Sequence, residues 1–206
     1  MGKETRVWLI IEANSLLDGI LERDNNISHI FDLSGEGKIE IKTSEISWEE
    51  VEFVLFNEVM YYRKLAFELE KRSKDLKRGR YAVHESMFGD MAANLRKLSD
   101  KIERESNIAI NKLKMLVNDL PFKGDILANA TKITFNPLFG LDLADAVHFV
   151  TAKNAAALKP ENVACIFLTK DKHFNNNLIR KELAKSDVTL YTQSGKVVKF
   201  LREQTN

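Results

Sequence analysis

The sequence predicts an α/β fold, a mostly parallel central sheet flanked by helices, with a helical hairpin inserted into it. Three observations carry this expectation. Two short, unbroken apolar runs, Val7-Trp-Leu-Ile-Ile11 and Val163-Ala-Cys-Ile-Phe-Leu168, suit strands buried on both faces, as parallel strands are. Helical patterns separate the strand-like segments, which is the alternation of an α/β sheet. Midway, two long amphipathic runs meet near Gly79, and helices joined by a short glycine-containing link form an antiparallel hairpin.

In chain order, residues 7–11 form the first strand, and residues 15–23 place Leu16, Leu17, Ile20 and Leu21 on one helical face. Asp24-Asn-Asn and Gly35-Glu-Gly37 read as loops. Ile39 and Ile41 alternate with charge over 38–42, the pattern of a half-exposed strand. From 48 to 78, Val51, Val54, Leu55, Tyr62, Leu65 and Leu69 keep the i, i+3/i+4 spacing of an amphipathic helix. From 85 to about 116, Met87, Met91, Leu95, Leu98 and Ile102 do the same. Leu65 and Leu69 are expected to pack against Leu95, Leu98 and Ile102, leaving a basic tip. Lys132-Ile-Thr-Phe135 has weak strand character, closed by Pro137. A helix over 142–158, the strand 163–168, a helix over 178–184, a strand over 188–191 and a helix over 197–202 follow. The whole reads as a single domain over 1–206, with a helical insert at about 60–130.

The chain has 206 residues, 44% of them hydrophobic, which suffices for one full core. Its 31 basic and 30 acidic residues leave a net charge of +1, so a nucleic-acid partner requires a local patch rather than a global field. The single cysteine, Cys165, lies in an apolar run as a small core residue and excludes an intrachain disulfide. The five apolar residues near the N-terminus are too few for a signal segment or a membrane span, and a cytoplasmic protein is the expectation. There is no His/Cys cluster with zinc spacing, no Gly-rich phosphate loop and no Gly-x-Ser-x-Gly elbow. Nucleophilic serine or cysteine chemistry therefore has no support.

Acids provide the chemistry instead. Ligands of open α/β sheets bind at the carboxyl ends of the strands. Glu12 and Asp171 each follow a predicted strand, so they can converge although about 160 positions separate them. Converging carboxylates suit a hard divalent cation. Asp145 lies in the first turn of a helix and Glu50 near the start of the longest one. Each also has a purely structural reading. Ser47-Trp-Glu-Glu50 has capping-box spacing, which would tie Glu50 to the Ser47 backbone and leave Glu49 or Glu58 as ligand. Asp142 suits an N-cap, with Asp145 favoured by the helix dipole. Asp171 suits an Asx-turn, and His148, one turn beyond Asp145, a core or surface position.

The contexts of these acids are similar, one after another, to the motifs of PIN-domain nucleases. Ile11-Glu12-Ala-Asn14-Ser-Leu-Leu17 resembles the first, and Thr43-Ser44-Glu-Ile-Ser-Trp-Glu-Glu50-Val the second. Leu143-Ala-Asp145-Ala-Val-His-Phe-Val-Thr-Ala resembles the third, and Leu168-Thr169-Lys-Asp171-Lys-His-Phe174 the Thr-x-Asp-x-x-Phe of the fourth. Their order is kept across nearly the whole chain. The family's first acid is usually Asp, and here it is Glu12.

The resemblance implies a PIN-like three-layer sandwich and a Mg2+- or Mn2+-dependent endoribonuclease that leaves a 5′-phosphate. It implies Glu12, Glu50, Asp145 and Asp171 as the catalytic acids, with Glu12, Asp145 and Asp171 on the metal and Asn14 and Thr169 as accessory groups. RNA is the implied partner. A toxin–antitoxin setting, with an antitoxin or other protein partner, and a homodimer are compatible with it; a membrane is not involved. For holding RNA, residues 71–80 carry six basic side chains, including Lys77, Arg78 and Arg80, and Lys170 and Lys172 flank Asp171. The same cations also suit a solvated helix C-terminus. The Glu in place of Asp favours an alternative, a catalytically weak or silent PIN-fold module that binds RNA or protein.

Overall fold

A computed structural model describes residues 7–77 and 81–205. Among them the order is β1 (Val7–Ile11), α1 (Ala13–Ile20), α2 (Asn25–Gly35), β2 (Ile39–Ser44), α3 (Glu45–Leu76), α4 (Glu85–Lys114), β3 (Val117–Leu120), α5 (Gly124–Thr134), α6 (Leu143–Leu158), β4 (Ala164–Leu168), α7 (Asn177–Lys185), β5 (Val188–Tyr191) and α8 (Ser194–Thr205). Contacts divide the chain into two compact units. One runs to Val51 and resumes at Lys112; the other is Glu52–Asn111.

The first unit is built on a five-stranded, wholly parallel sheet of order β3-β2-β1-β4-β5. Alternation along the strands divides the core. Ile10, Cys165, Phe167 and Leu190 share a buried cluster with Ile126 of α5, Phe149 of α6 and Leu183 of α7. Leu9, Ile41, Ile166 and Leu168, also buried, alternate with them, and β2 contacts α2, which meets α1 and α8. From β1 the sheet grows through β2 and β3 on one side, and β4 and β5 lie on the other. The order therefore reverses between β1 and β4, and a crevice forms at the strand ends of such a switch.

Four segments differ from their sequence expectations. Residues 132–135 belong to α5, not to a strand: Ile126 and Ala130 give it a buried stripe, and Thr131 and Thr134 bond back to the carbonyls of Leu127 and Ala130. The third strand is instead Val117-Asn-Asp-Leu120, held at its end by the Trp48 indole N–H donating to Asp119 Oδ1 at 2.8 Å. Asn25 and Asn26 open α2 rather than a loop, because Asp24 caps it through Asn26 N–H. β2 is mostly buried, since Lys42 runs its stem inward, placing Nζ 3.8 Å from the centre of the Trp8 ring and 2.7 Å from Glu40. β3 and α5 lie within the insert expected at about 60–130; by contacts both belong to the sheet unit.

The second unit pairs the remainder of α3 with α4. Ion pairs of Arg63 with Asp100 and Glu103, of Arg96 with Glu70, and of Lys77 with Glu85 run in opposite chain directions, as in an antiparallel hairpin. The buried seam is not the stripe of leucines. It is made of Leu55, Val59, Ala66 and Ser73 on α3, and Ala92, Ser99, Ser106 and Ile110 on α4. Leu65, Leu69, Leu95 and Ile102 are half-buried, and Leu98 is exposed. Small side chains at the contact allow a short interaxial distance, and Ser73 Oγ donates to Glu85 O at 3.0 Å.

Candidate functional site

Glu12 follows β1 and occupies the N-cap position of α1, yet its carboxylate does not cap the helix. It turns across the switch point to β4 instead. Thr169 Oγ1 donates to Glu12 Oε1 at 2.6 Å and Lys170 N–H to the same oxygen at 3.0 Å. Glu12 is 3% exposed and Thr169 fully buried. Burial lifts the Glu12 carboxyl above its ordinary range; the Thr169 bond, His148 and the Lys170 N–H oppose this without cancelling it, and Asp171 adds to the rise.

The chain of contacts continues to the other acids. Asp171 N–H donates to Thr169 Oγ1 at 3.0 Å, and Asp171 Oδ1 accepts from His173 N–H at 2.7 Å, an Asx-turn opening a 3₁₀ turn over Lys172–Asn175. The His173 imidazole Nδ1 lies 2.9 Å from Asp145 Oδ2 and 3.4 Å from Asp171 Oδ1. Asp145 is held in the first turn of α6 by its N–H donating to the capping Asp142 Oδ1 at 2.9 Å. Burial raises the Asp145 carboxyl above its ordinary value, His173 counteracts this, and the charges of Asp142 and Asp171 reinforce it. His173 itself is raised by the Asp145 bond and by Asp171.

Glu50 belongs to a second, deeper pair. The capping role falls to Ser44, whose Oγ accepts from Ser47 N–H at 3.2 Å, so the capping box expected at Ser47 does not form. Glu50 Oε2 instead meets His148 Nε2 at 3.1 Å, and His148 Nδ1 lies 3.4 Å from Ser44 Oγ. Burial pulls the His148 imidazole down, but the Glu50 bond and the charges of Glu50, Glu12 and Asp145 outweigh it and leave it above its ordinary value. Glu49 is exposed, and Glu58 belongs to the other unit.

Among the described residues, donor atoms of Asp145, Asp171 and His173 lie within 4.8 Å of one another. Glu12, expected with Asp145 and Asp171, is not in that group, and its Oε1 accepts from Thr169 Oγ1 and Lys170 N–H. Two carboxylates and an imidazole form a mixed oxygen and nitrogen donor set. His173 and the His148 bond are the features that sequence reasoning missed. For His173 the available signal was its place two residues after Asp171; for His148, its place one turn after Asp145 on one helix face.

The other expected groups divide. Asn14 is exposed and lines a cleft of about 460 Å³ with Asp18, Arg23, Lys170, Asp171, Lys172 and His173. Lys172 is exposed at its rim. Lys170 is not a free phosphate ligand: its Nζ bonds Asp18, and Asp24 at 2.7 Å, while Ser194 Oγ donates to Asp24 at 2.7 Å. Burial lowers the Lys170 ammonium, but the two aspartates prevail and hold it above its ordinary value. Lys77 pairs with Glu85 at 2.9 Å on the surface, and Arg78 and Arg80 lie outside the described residues. Among the described residues no helix is long and apolar enough to cross a membrane. Comparison with family models, with curated proteins and with solved structures finds no match to the chain.

Proposed function

We propose that this chain is a PIN-like sandwich acting as a divalent-cation-dependent endoribonuclease, with its site at the carboxyl edge of the sheet. The observation that carries this reading is the continuous chain of contacts from Glu12 through Thr169, Asp171 and His173 to Asp145. A dication fits these residues. Two of the carboxyls, Glu12 and Asp145, are held above their ordinary values by burial and by neighbouring negative charge, which a cation relieves. Asp145, Asp171 and His173 would hold it, with Glu12 beside them. Mg2+ or Mn2+ bound there supplies Lewis acidity toward a phosphate oxygen and lowers the pKa of water. The nitrogen donor favours Mn2+ over Mg2+.

The chain's own residues do the positioning. Thr169 fixes the Glu12 carboxylate and the turn that presents Asp171, while Asp142 fixes the helix turn that presents Asp145. The Glu50–His148 pair sets a protonatable imidazole among the acids. RNA phosphates approach through the cleft beside Asn14, where Lys172 offers salt-dependent attraction. Hydrolysis leaves a 5′-phosphate.

The test is Asp171→Asn, assayed for Mn2+ binding by calorimetry and for RNA cleavage with Mg2+ or Mn2+. We expect weaker Mn2+ binding and a loss in kcat/KM on the order of 10²-fold, about 2.7 kcal/mol of transition-state stabilisation. Folding stability should be unchanged or slightly raised, because one charge leaves an acidic cluster. Equal cleavage by variant and wild type rules the role out. A second reading, a catalytically silent module that binds RNA or protein, is favoured by the four acids being engaged already, Glu12 by Thr169, Glu50 by His148, Asp145 by the His173 ring and Asp171 by the His173 N–H. RNA retention without turnover in either metal selects it.

A further inference from the structure

We propose that the outer face of α3 is a self-complementary surface through which two copies of this chain associate, antiparallel, about a two-fold axis at Met60. This is independent of the nuclease reading. Phe53, Phe56 and Phe67 are 60–66% exposed and Met60 44% exposed. Relative to Met60 they stand at −7, −4 and +7, which on a helix keeps them within about 40° of one line. The seam with α4, through Val59, Ala66 and Ser73, lies about 120° round the helix from this line, with Phe56 at the edge nearer to it. An apolar line of this kind on a surface helix marks an interaction site.

Symmetry and charge identify the occupant. A two-fold axis through Met60 sets each position at −n against +n on the second copy. Phe53 then faces Phe67 of the second copy, Phe56 faces its Lys64, and Met60 faces itself. The same line carries Glu49 at −11 and Lys71 at +11, so each end of the contact closes on an opposite-charge pair. Glu49, Lys64 and Lys71 are exposed and make no ion pair with other described residues.

The helix as a whole is polarised in the same sense. Residues 45–60 hold five acids, Glu45, Glu49, Glu50, Glu52 and Glu58, and no base. Residues 61–77 hold six bases, Arg63, Lys64, Lys71, Arg72, Lys74 and Lys77, against three acids. Antiparallel copies bring the acidic half of one against the basic half of the other, whereas parallel copies would oppose like charges. A two-fold contact of this kind is isologous and closed, so it stops at the dimer.

Area sets the strength. A buried aromatic side chain removes about 150–250 Å² from water, so three phenylalanines about 60% exposed, with Met60, offer roughly 400–500 Å² per copy. Doubled, and with the stems of Lys64 and Lys71 added, this reaches about 1,000 Å², the lower edge of specific interfaces. The dimer is therefore reversible rather than obligate.

Sedimentation of the full chain over a micromolar concentration series tests it. Wild type should dimerise reversibly. Phe53→Glu and Phe67→Glu should be monomeric with unchanged helical circular dichroism. Glu49→Lys and Lys71→Glu should each weaken self-association; mixed, they should form a heterodimer, since both cross pairs are then of opposite sign. The double variant E49K/K71E should recover the wild-type dimer. Met60→Cys, on the axis, should give a covalent dimer on mild oxidation, while buried Cys165 does not react. A monomer at every concentration overturns the proposal, as does a dimer indifferent to Phe53→Glu and Phe67→Glu. Failure of the two charge variants to pair, or association with phospholipid vesicles in place of a dimer, also overturns it.

Discussion

The carboxyl edge of the sheet and the outer face of α3 depart from ordinary burial in opposite senses. At the sheet edge Glu12, Asp145 and His148 are at most 8% exposed, although they are ionisable. On α3, Phe53 and Phe67 are more than 60% exposed, although they are apolar. Buried charge must find partners or shift its protonation, and each of these three has one: Thr169 for Glu12, His173 for Asp145, Glu50 for His148. An exposed phenylalanine forgoes burial and leaves nothing unsatisfied. Substitutions of these three buried groups should therefore disturb folding and protonation together, and substitutions on the α3 face should disturb association alone.

The largest expected effect separates charge from acceptor at Glu12. Glu12→Gln keeps an oxygen for Thr169 Oγ1 and Lys170 N–H; Glu12→Ala strands both donors, and Thr169 is fully buried. The alanine variant should be about 2–3 kcal/mol less stable than the glutamine variant by urea unfolding. That corresponds to roughly 5–10 °C in Tm for a chain of this size. Equal stabilities would mean that the Glu12 bonds contribute nothing, and the contrast with α3 would lose its first term.

A smaller effect lies in pH dependence. His148 is raised above 6.5 in the folded protein, so folding holds its proton more tightly than the unfolded chain does. That contribution is complete below about pH 6.5 and is lost as pH rises through the folded value. Glu12 and Asp145, raised above 4.5 and 3.8, act in the same sense from their own lower starting points. Asp24, held well below 3.8 by Lys170 and Ser194 despite burial, acts oppositely and only in stronger acid. His173, raised by its bond to Asp145 and by Asp171, acts in the same range as His148, so Tm should decline from mildly acidic pH toward pH 8, and His148→Gln should flatten part of the slope above 6.5. A slope unchanged in that variant removes His148 from the account.

What the sequence disclosed follows from the same physics. β1 and β4 were legible because a strand buried on both faces has no polar positions, and the acids after them because a parallel sheet sends strand ends to one edge. β3 was not legible: it has four residues, with only Val117 and Leu120 buried, directly after a long helix. α5 was hidden by Ile133 and Thr134, whose strand preference yielded to the packing of Ile126 and Ala130. Within the site, Glu50 finds His148 98 positions away, and Lys170 finds Asp18 and Asp24 across about 150. No local spacing encodes such pairs. The hairpin seam escaped because a search for large apolar side chains gives little weight to Ala66, Ser73, Ala92, Ser99 and Ser106. The leucines it selected are only half-buried or exposed, beside that seam.

The smallest expected effect is the one that most sharpens the contrast. Phe67→Gln on the α3 face removes an aromatic side chain that is 62% exposed and has no place in the buried seam. In dilute solution its unfolding free energy should match wild type within about 0.5 kcal/mol, as surface substitutions do. Association stabilises whatever it binds by mass action, so the wild-type Tm should climb with protein concentration and the Tm of the variant should not. The two curves then meet at dilution and separate only as protein is added. A variant already 2 kcal/mol less stable at the lowest concentration, an effect of the size core truncations give, would place Phe67 in the fold itself. In that case the exposed face of α3 would have to be explained by folding rather than by a second copy.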